Sequence, residues 1–495
     1  IFINIVITIV LTNFSFYSLG NRIHDVLSIR KVIMMQQRPG VYIEQGPQNF
    51  EIIQRNSKDC ADISLSGYWV GVEHADLQEV YVRILRENSN MEIVTFTKCD
   101  MKDFEWSVVL HNIPSGGPYK IETGLRIDNN LRMDWNIAGE MRHFVGVGDV
   151  YVIAGQSNSA GYGKGIVEDI PVIGVHALQY NGCWSIATHP LSDCTNVVYQ
   201  TSLEQTNHGN SPYLSFAKIL NKELSIPIGL VPTALGGSPI SSWNPGQNGV
   251  LYRNMQKITS QLSNGYCGVL WYQGCAETDC PDEAESYEEH FKQMVSAWRK
   301  ESNCSELLFL TFQLNRCRVH TDYENDRRWG MIREAQRQSA RHIKNCYVVP
   351  TIDIPMSDAI HNSAAGNLLL GERMARFALS EVYHIGTTFT SASLKRAFVK
   401  GSTTIGLEFT GLVGILEGFT DDMKKLDITI EDENGKNDIK SCYFGADEIF
   451  IVLGRNIKGH CTISCGDKKD VEKIVPVDTG TFMPILCFAE VKVDE

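Results

Sequence analysis

DVYVIAGQSNSAG, residues 149–161, joins an apolar run to a Ser that stands between two amides and is wrapped in small residues. DVYVIAG reads as a strand that stops at Gly155, and from there the chain alternates. SPYLSFAKILNKEL (211–224) reads as a helix, with Ser211 as N-cap, Pro212 in the first turn and Tyr213, Phe216, Ala217 and Leu220 on one face. IPIGLVPTAL (226–235) is a strand and LYRNMQKITSQL (251–262) a helix. CGVLWYQG (267–274) is a strand, and SYEEHFKQMVSAWRK (286–300) a helix with Phe291, Met294, Val295 and Trp298 at spacings of three and four. LLFLTFQL (307–314) and CYVVPTIDI (346–354) are strands, followed by helices in GMIREAQRQSARH (330–342) and AAGNLLLGERMARFALSEV (364–382). Five strand–helix units in a row predict an α/β fold with a five-stranded parallel sheet covered on both faces. Ligands of such sheets sit outside the carboxyl ends of the strands. Ser157 lies at that edge.

The flanks read differently. LQEVYVRILRE (77–87), MEIVTFTKC (91–99) and EWSVVLHNI (105–113) are short β-rich runs between turn residues, which predicts a small antiparallel sandwich over 36–145. After 386 strands return in TTIGLEFTG (403–411), KLDITIED (425–432), EIFIVLG (448–454) and FAEVKV (488–493), so the expected division is 36–145, 146–385 and 386–495. Residues 1–35 stand apart: 1–19 are apolar and nearly uncharged, as in a signal-peptide core or an anchor, while Met34 and Met35 precede QQRPGVYIEQ. The first reading implies secretion, a start near Met34 a cytoplasmic protein.

At 495 residues the chain exceeds one hydrophobic core. Its 45 basic and 58 acidic residues leave a net charge of −13, which repels phosphate backbones and argues against a nucleic-acid partner. The 14 cysteines contain no CxxC pair, so no structural metal is expected and they read as buried thiols with one or two disulfides. No cofactor is implied, and oligomeric state is not legible.

A Ser at this edge needs a base, and the base needs a carboxylate. SDAIHNSAAG (357–366) supplies both after the fifth strand, with Asp358 three residues before His361. Asp353 in TIDIP is a rival carboxylate whose place at the strand end suits a structural role. ALGGSPISSW (234–243) follows the second strand, where Gly236 and Gly237 let backbone approach a ligand and offer an N–H to an oxyanion. WYQGCAETD (271–279) follows the third, where the Gln273 amide is a further candidate donor beside the Ser157 N–H. The block departs from the G-x-S-x-G nucleophile elbow, because residue 159 is Ser.

The stretches GDVYVIAGQSN, LGGSPISSW, LWYQG and DAIHNSAAGNLLLGERMA resemble the SGNH hydrolases, in particular the sialate O-acetylesterase and acetylxylan-esterase type with a GQSN block. The resemblance spans roughly 148–378 and implies a flavodoxin-like hydrolase domain. It also implies Ser157 as nucleophile, His361 as base and Asp358 as its partner, with O-acetylated sugars as substrate and sialic acid favoured over acetylxylan. Gln156, Asn158 and Trp243 are then candidate sugar contacts, with Trp271 equally suited to core packing. Trp329 and Arg333 read as parts of a structural helix. One departure concerns the third block, where Cys275 stands in the position usually held by Glu and Glu277 comes two residues later. The alternative from another class is a glycan-binding protein that keeps the fold without turnover, against which the intact Ser157, Asp358 and His361 argue.

Overall fold

The computed structural model describes residues 37–494 apart from 74, 76, 128–136, 205–207, 320–322 and 446. The N-terminal segment 1–35 lies outside the described residues. The described residues divide into two compact units, one within 37–47, 62–113 and 119–145, the other within 48–61, 114–118 and 146–494.

The first unit is built of strands. One sheet runs in the order Gly40–Gln45, Cys60–Val70, Glu105–Pro114 and Asp100–Lys102. In the other, Gln78–Arg86 pairs antiparallel with Glu92–Lys98 and with Gly116–Ile127, which in turn neighbours the start of a long strand, β1 (Ile137–Gly155). Burial alternates where the sequence does: Trp106, Val108 and Leu110 turn inward while Glu105, Ser107 and Val109 stay outside.

In the second unit β1 continues as 146–155 into a sheet with β2 (Val175–Leu178), β3 (Trp184–Ile186), β4 (Ile228–Pro232), β5 (Gly268–Tyr272), β6 (Leu308–Phe312) and β7 (Cys346–Val349). The order is β3-β2-β4-β1-β5-β6-β7, and every neighbouring pair is parallel except β2 with β3. The parallel strands therefore number six, not the five expected. The extra one, VHAL, has four residues, carries a buried His and lies in no strand–helix repeat, so its pattern is too short to read. It becomes a strand because β4 beside it offers a ladder.

Five helices cover the sheet: α1 (Pro212–Leu224), α2 (Val250–Thr259), α3 (Tyr287–Glu301), α4 (Tyr323–His342) and α5 (Ala364–Glu381). The Ser211 side chain caps α1 by accepting from the Tyr213 N–H, as its position before Pro212 suggests. Residues 150–154 of β1 are all apolar because both faces of the strand are buried there. Val150, Val152 and Ala154 enter a core with Trp271 and Trp298, whereas Tyr151 and Ile153 enter a second one with Phe216 and Leu370. The strands expected after 386 form an eight-stranded sheet with its own cluster around Ile405, Leu407, Ile451 and Ile463. All 14 cysteines are free thiols.

Candidate active site

The turn that carries Ser157 is dictated by close passage of two strands. Gly155 adopts φ +120°, and a Cβ there would overlap the Tyr272 carbonyl of β5. The Gln156 N–H donates to that carbonyl at 3.0 Å. A single helical turn, Ser157–Ala160, follows and is closed by Gly161 at φ +97°, whose N–H donates to the Ser157 carbonyl. Ser159, where the elbow pattern has Gly, is buried and its hydroxyl donates to the Ala154 carbonyl at 2.7 Å. The extra hydroxyl is thus a lock on the turn. The arrangement leaves Ser157 at the carboxyl end of β1, with its Oγ 2.9 Å from His361 Nε2.

His361 comes from the loop after β7, across more than two hundred residues of chain. Its Nδ1 is 2.8 Å from Asp358 Oδ2, while Asp358 Oδ1 accepts from the Ile360 and His361 amides at 2.9 and 2.7 Å. Partial burial pushes the Asp358 pKa up, but the two amides and the imidazole outweigh it and hold the carboxyl below its ordinary value. The structure brings Ser157, His361 and Asp358 into one hydrogen-bonded chain. The rival carboxylate Asp353 faces away: Arg373 clasps it with two bonds of 2.8 and 2.6 Å.

Behind the loop that carries His361 lies a chain of buried asparagines, of which the sequence pointed only to Asn158. The Asn362 N–H donates to Asn158 Oδ1 at 3.1 Å, and Asn158 Nδ2 donates to the Ile360 carbonyl at 3.2 Å. Asn362 also bonds Asn315 and, at 3.0 Å, Asn367 Oδ1. Both polar atoms of Asn158 therefore hold the backbone on either side of His361, which corrects its reading as a sugar contact. Gln156 is engaged at its oxygen: Oε1 accepts from the Gly274 and Cys275 amides, each at 3.0 Å, and ties the Ser157 turn to the loop after β5.

The second and third blocks also part from expectation. Gln273 is fully buried; its Nε2 donates to the Ser238 carbonyl at 3.3 Å and to Glu277 Oε2 at 2.6 Å, and its Oε1 accepts from the Tyr287 hydroxyl at 3.1 Å. Both amide hydrogens are engaged within the protein, so Gln273 does not present a donor to an oxyanion. Glu277 accepts a second bond from the Ile240 N–H at 2.6 Å, and burial pushes its pKa up to about 7 against these two donors. It bridges the loops after β4 and β5. Cys275 is buried among apolar side chains, which raises its thiol pKa far above the ordinary value. Trp243 is fully buried against Trp271 and Trp298, with its Nε1 on Ser238 Oγ. It is a core residue, not a platform for a sugar ring.

Of the two glycines, Gly236 donates its N–H to Glu204 Oε2 at 3.2 Å. Gly237 adopts φ +66°, and a Cβ there would meet open space. Among the described residues no acceptor is bonded to the Gly237 or Ser157 amide. Arg333 is fully buried and donates to the Leu314, Asn315 and Gly466 carbonyls at 2.9, 2.8 and 2.9 Å beside Trp329, a packing role.

Residues 147–380 match the family model described as carbohydrate esterase, sialic acid-specific acetylesterase. The resemblance read from the sequence holds. A probable carbohydrate esterase of Arabidopsis thaliana is 28% identical over 47% of this chain and 90% of its own. Human sialate O-acetylesterase is 24% identical over 44% of this chain, and the match spans about half of that protein, 46%. A carbohydrate acetylesterase structure from Xanthomonas citri superposes over 90% of this chain and 99% of its own with a TM-score of 0.64 at 19% identity, a likeness of fold. The carbohydrate-esterase match covers the α/β sheet and every site residue described above. Among the described residues no group of three or more His, Cys, Asp or Glu could hold a metal ion, and no helix is long and apolar enough to cross a membrane.

Proposed function

We propose that the protein is a carbohydrate O-acetylesterase that works through an acyl-enzyme. The observation that carries this reading is the unbroken chain from Asp358 through His361 to Ser157 Oγ, with contacts of 2.8 and 2.9 Å. His361 Nε2 takes the Ser157 proton as Oγ attacks the acetyl carbonyl, and Asp358 holds the ring's orientation and stabilises the imidazolium. The oxyanion is received by the Ser157 and Gly237 N–H groups, each such donor contributing about 2.7–4 kcal/mol in the transition state. The imidazolium then protonates the sugar oxygen as it leaves. Water, deprotonated by His361, attacks the acetyl-enzyme, and acetate departs with Ser157 reprotonated.

The acetylated sugar is the substrate class, and an O-acetylated sialic acid is its favoured member. That choice leans on the description of the matching family and on the human relative rather than on any side chain. The flanking strand-rich parts, 36–145 and 386–495, are proposed as β modules around an esterase domain of 146–385, the second of them within the same compact unit as that domain. The test is acetate release from O-acetylated sialic acid, acetylxylan and acetylated monosaccharides in parallel. Release confined to acetylxylan would replace the sialic-acid reading; binding of the sugars with no release from any would favour a glycan-binding protein.

A further inference from the structure

Beside His361 stands a polar cluster that the proposed mechanism does not use. The Tyr162 ring centroid lies 5.2 Å from that of His361 and 4.8 Å from that of His208. Both Tyr162 and His208 converge on Glu204: the Tyr162 hydroxyl bonds its carboxylate, and His208 Nε2 is 3.3 Å from Oε2. The third donor is the Gly236 N–H. A Cβ on Gly236 would overlap both the Glu204 carboxylate and the Tyr162 hydroxyl, so the carboxylate lies flush against the turn. From the other side the same turn is strapped to the nucleophile loop, since the Leu235 N–H and the Ser238 hydroxyl both donate to the Gly155 carbonyl at 3.1 Å.

The glycine turn thus has two anchors. Gly155 fixes it relative to Ser157, and Glu204 fixes the amide just before the one left without an acceptor. A carboxylate near a forming oxyanion would oppose it unless its charge were engaged. Here three donors engage it, and they outweigh the upward push of burial, so Glu204 is ionised below its ordinary range. An orientation error of about 1 Å in such a turn is worth on the order of 10²-fold in rate.

We propose that Glu204 is a positioning residue of this esterase: it holds the Gly236–Gly237 turn through the Gly236 N–H, and the wall against the His361 ring through Tyr162, in the geometry that receives the oxyanion. The proposal rests on the acyl-enzyme reading. Its effect is confined to the transition state, because the ground-state carbonyl is a weak acceptor.

The experiment compares Glu204→Gln with Glu204→Met on 4-nitrophenyl acetate, with Ser157→Ala and the parent alongside. Gln keeps the length and an oxygen for the Gly236 N–H; Met keeps the length without it. The Met variant should lose about 30- to 100-fold in kcat with KM within about threefold, while Gln retains kcat within about fivefold of the parent. Met and Gln variants equally active, or equally impaired, would overturn the proposal, as would a loss that falls on KM. If the Met variant does not fold, Gly236→Ala displaces the same contact from the backbone side and should show the same kcat loss; parent-like kcat there would also overturn it. An active Ser157→Ala would instead sink the acyl-enzyme reading itself, so the two failures are distinguishable.

Discussion

Asp358 and Glu277 are carboxylates on two loops at one sheet edge, after β7 and β5, and the fold treats them in opposite ways. Asp358 is half exposed and accepts two amides and an imidazole. It stays ionised. Glu277 is buried with two donors, and desolvation pushes its pKa up to about 7. The comparison shows that partners count more than position: a carboxylate proposed to stabilise a transient imidazolium is given ample donors and water, whereas one that joins two loops can be left near neutrality.

The largest effect expected from breaking the comparison falls on the side of Asp358. Ser157→Ala removes what the chain from Asp358 serves, and kcat on 4-nitrophenyl acetate should fall on the order of 10⁴–10⁶-fold with thermal unfolding unchanged. Burst and steady-state kinetics check this; activity within tenfold of the parent would remove Ser157 from the mechanism.

Asp358→Asn should lower kcat on the order of 10³–10⁴-fold, because the amide favours the wrong imidazole tautomer. Asp353→Asn is its control. It loosens the grip on Arg373 at a partly exposed pair, which should cost about 1 kcal/mol in stability and leave turnover near the parent's. A dead, well-folded Asp353→Asn would reverse the two assignments.

For Glu277 the expected signature lies in stability against pH. Its folded-state pKa is raised from 4.5 to about 7, so between those values the folded protein keeps a proton that the unfolded chain has lost. Folding then takes up a proton. The group's contribution is greatest below about 4.5 and is lost as pH rises to about 7. At about 1.4 kcal/mol for each tenfold change in proton affinity, the loss is at most roughly 3.5 kcal/mol. Urea unfolding of the parent should weaken between pH 5 and 8 relative to Glu277→Gln, and parallel profiles would show that Glu277 does not titrate there.

The smallest effect is expected at Cys275, where burial keeps the thiol protonated. Cys275→Ser should hold kcat within about threefold and lower stability by about 1 kcal/mol, as a hydroxyl replaces a small apolar group. An inactive but folded serine variant would give that thiol a part in catalysis.

What the sequence determined by itself is what local chemistry controls. DVYVIAG is apolar on both faces, GQSNSAG turns on glycines at 155 and 161, and Asp358 sits three residues from His361 on one loop. Each pattern is legible because its cause lies within a few residues. Strand after strand, the α/β series followed from the same periodicities, except that VHAL had no pattern long enough to announce a sixth parallel strand; the order of the strands in the sheet did not follow from them. Tertiary structure alone decided the direction of every buried amide. Gln273, Gln156 and Asn158 are polar groups at strand ends, as oxyanion donors and sugar contacts are, yet each is bonded to backbone or carboxylate groups from distant segments: Ser238 and Glu277, Gly274 and Cys275, Ile360 and Asn362. Trp243 was withdrawn from the surface for the same reason, as three tryptophans met in one core. Glu204 became part of the site only when folding brought Gly236, Tyr162 and His208 to it. A buried polar group must find its partner wherever the fold places one, and no spacing in the chain records that.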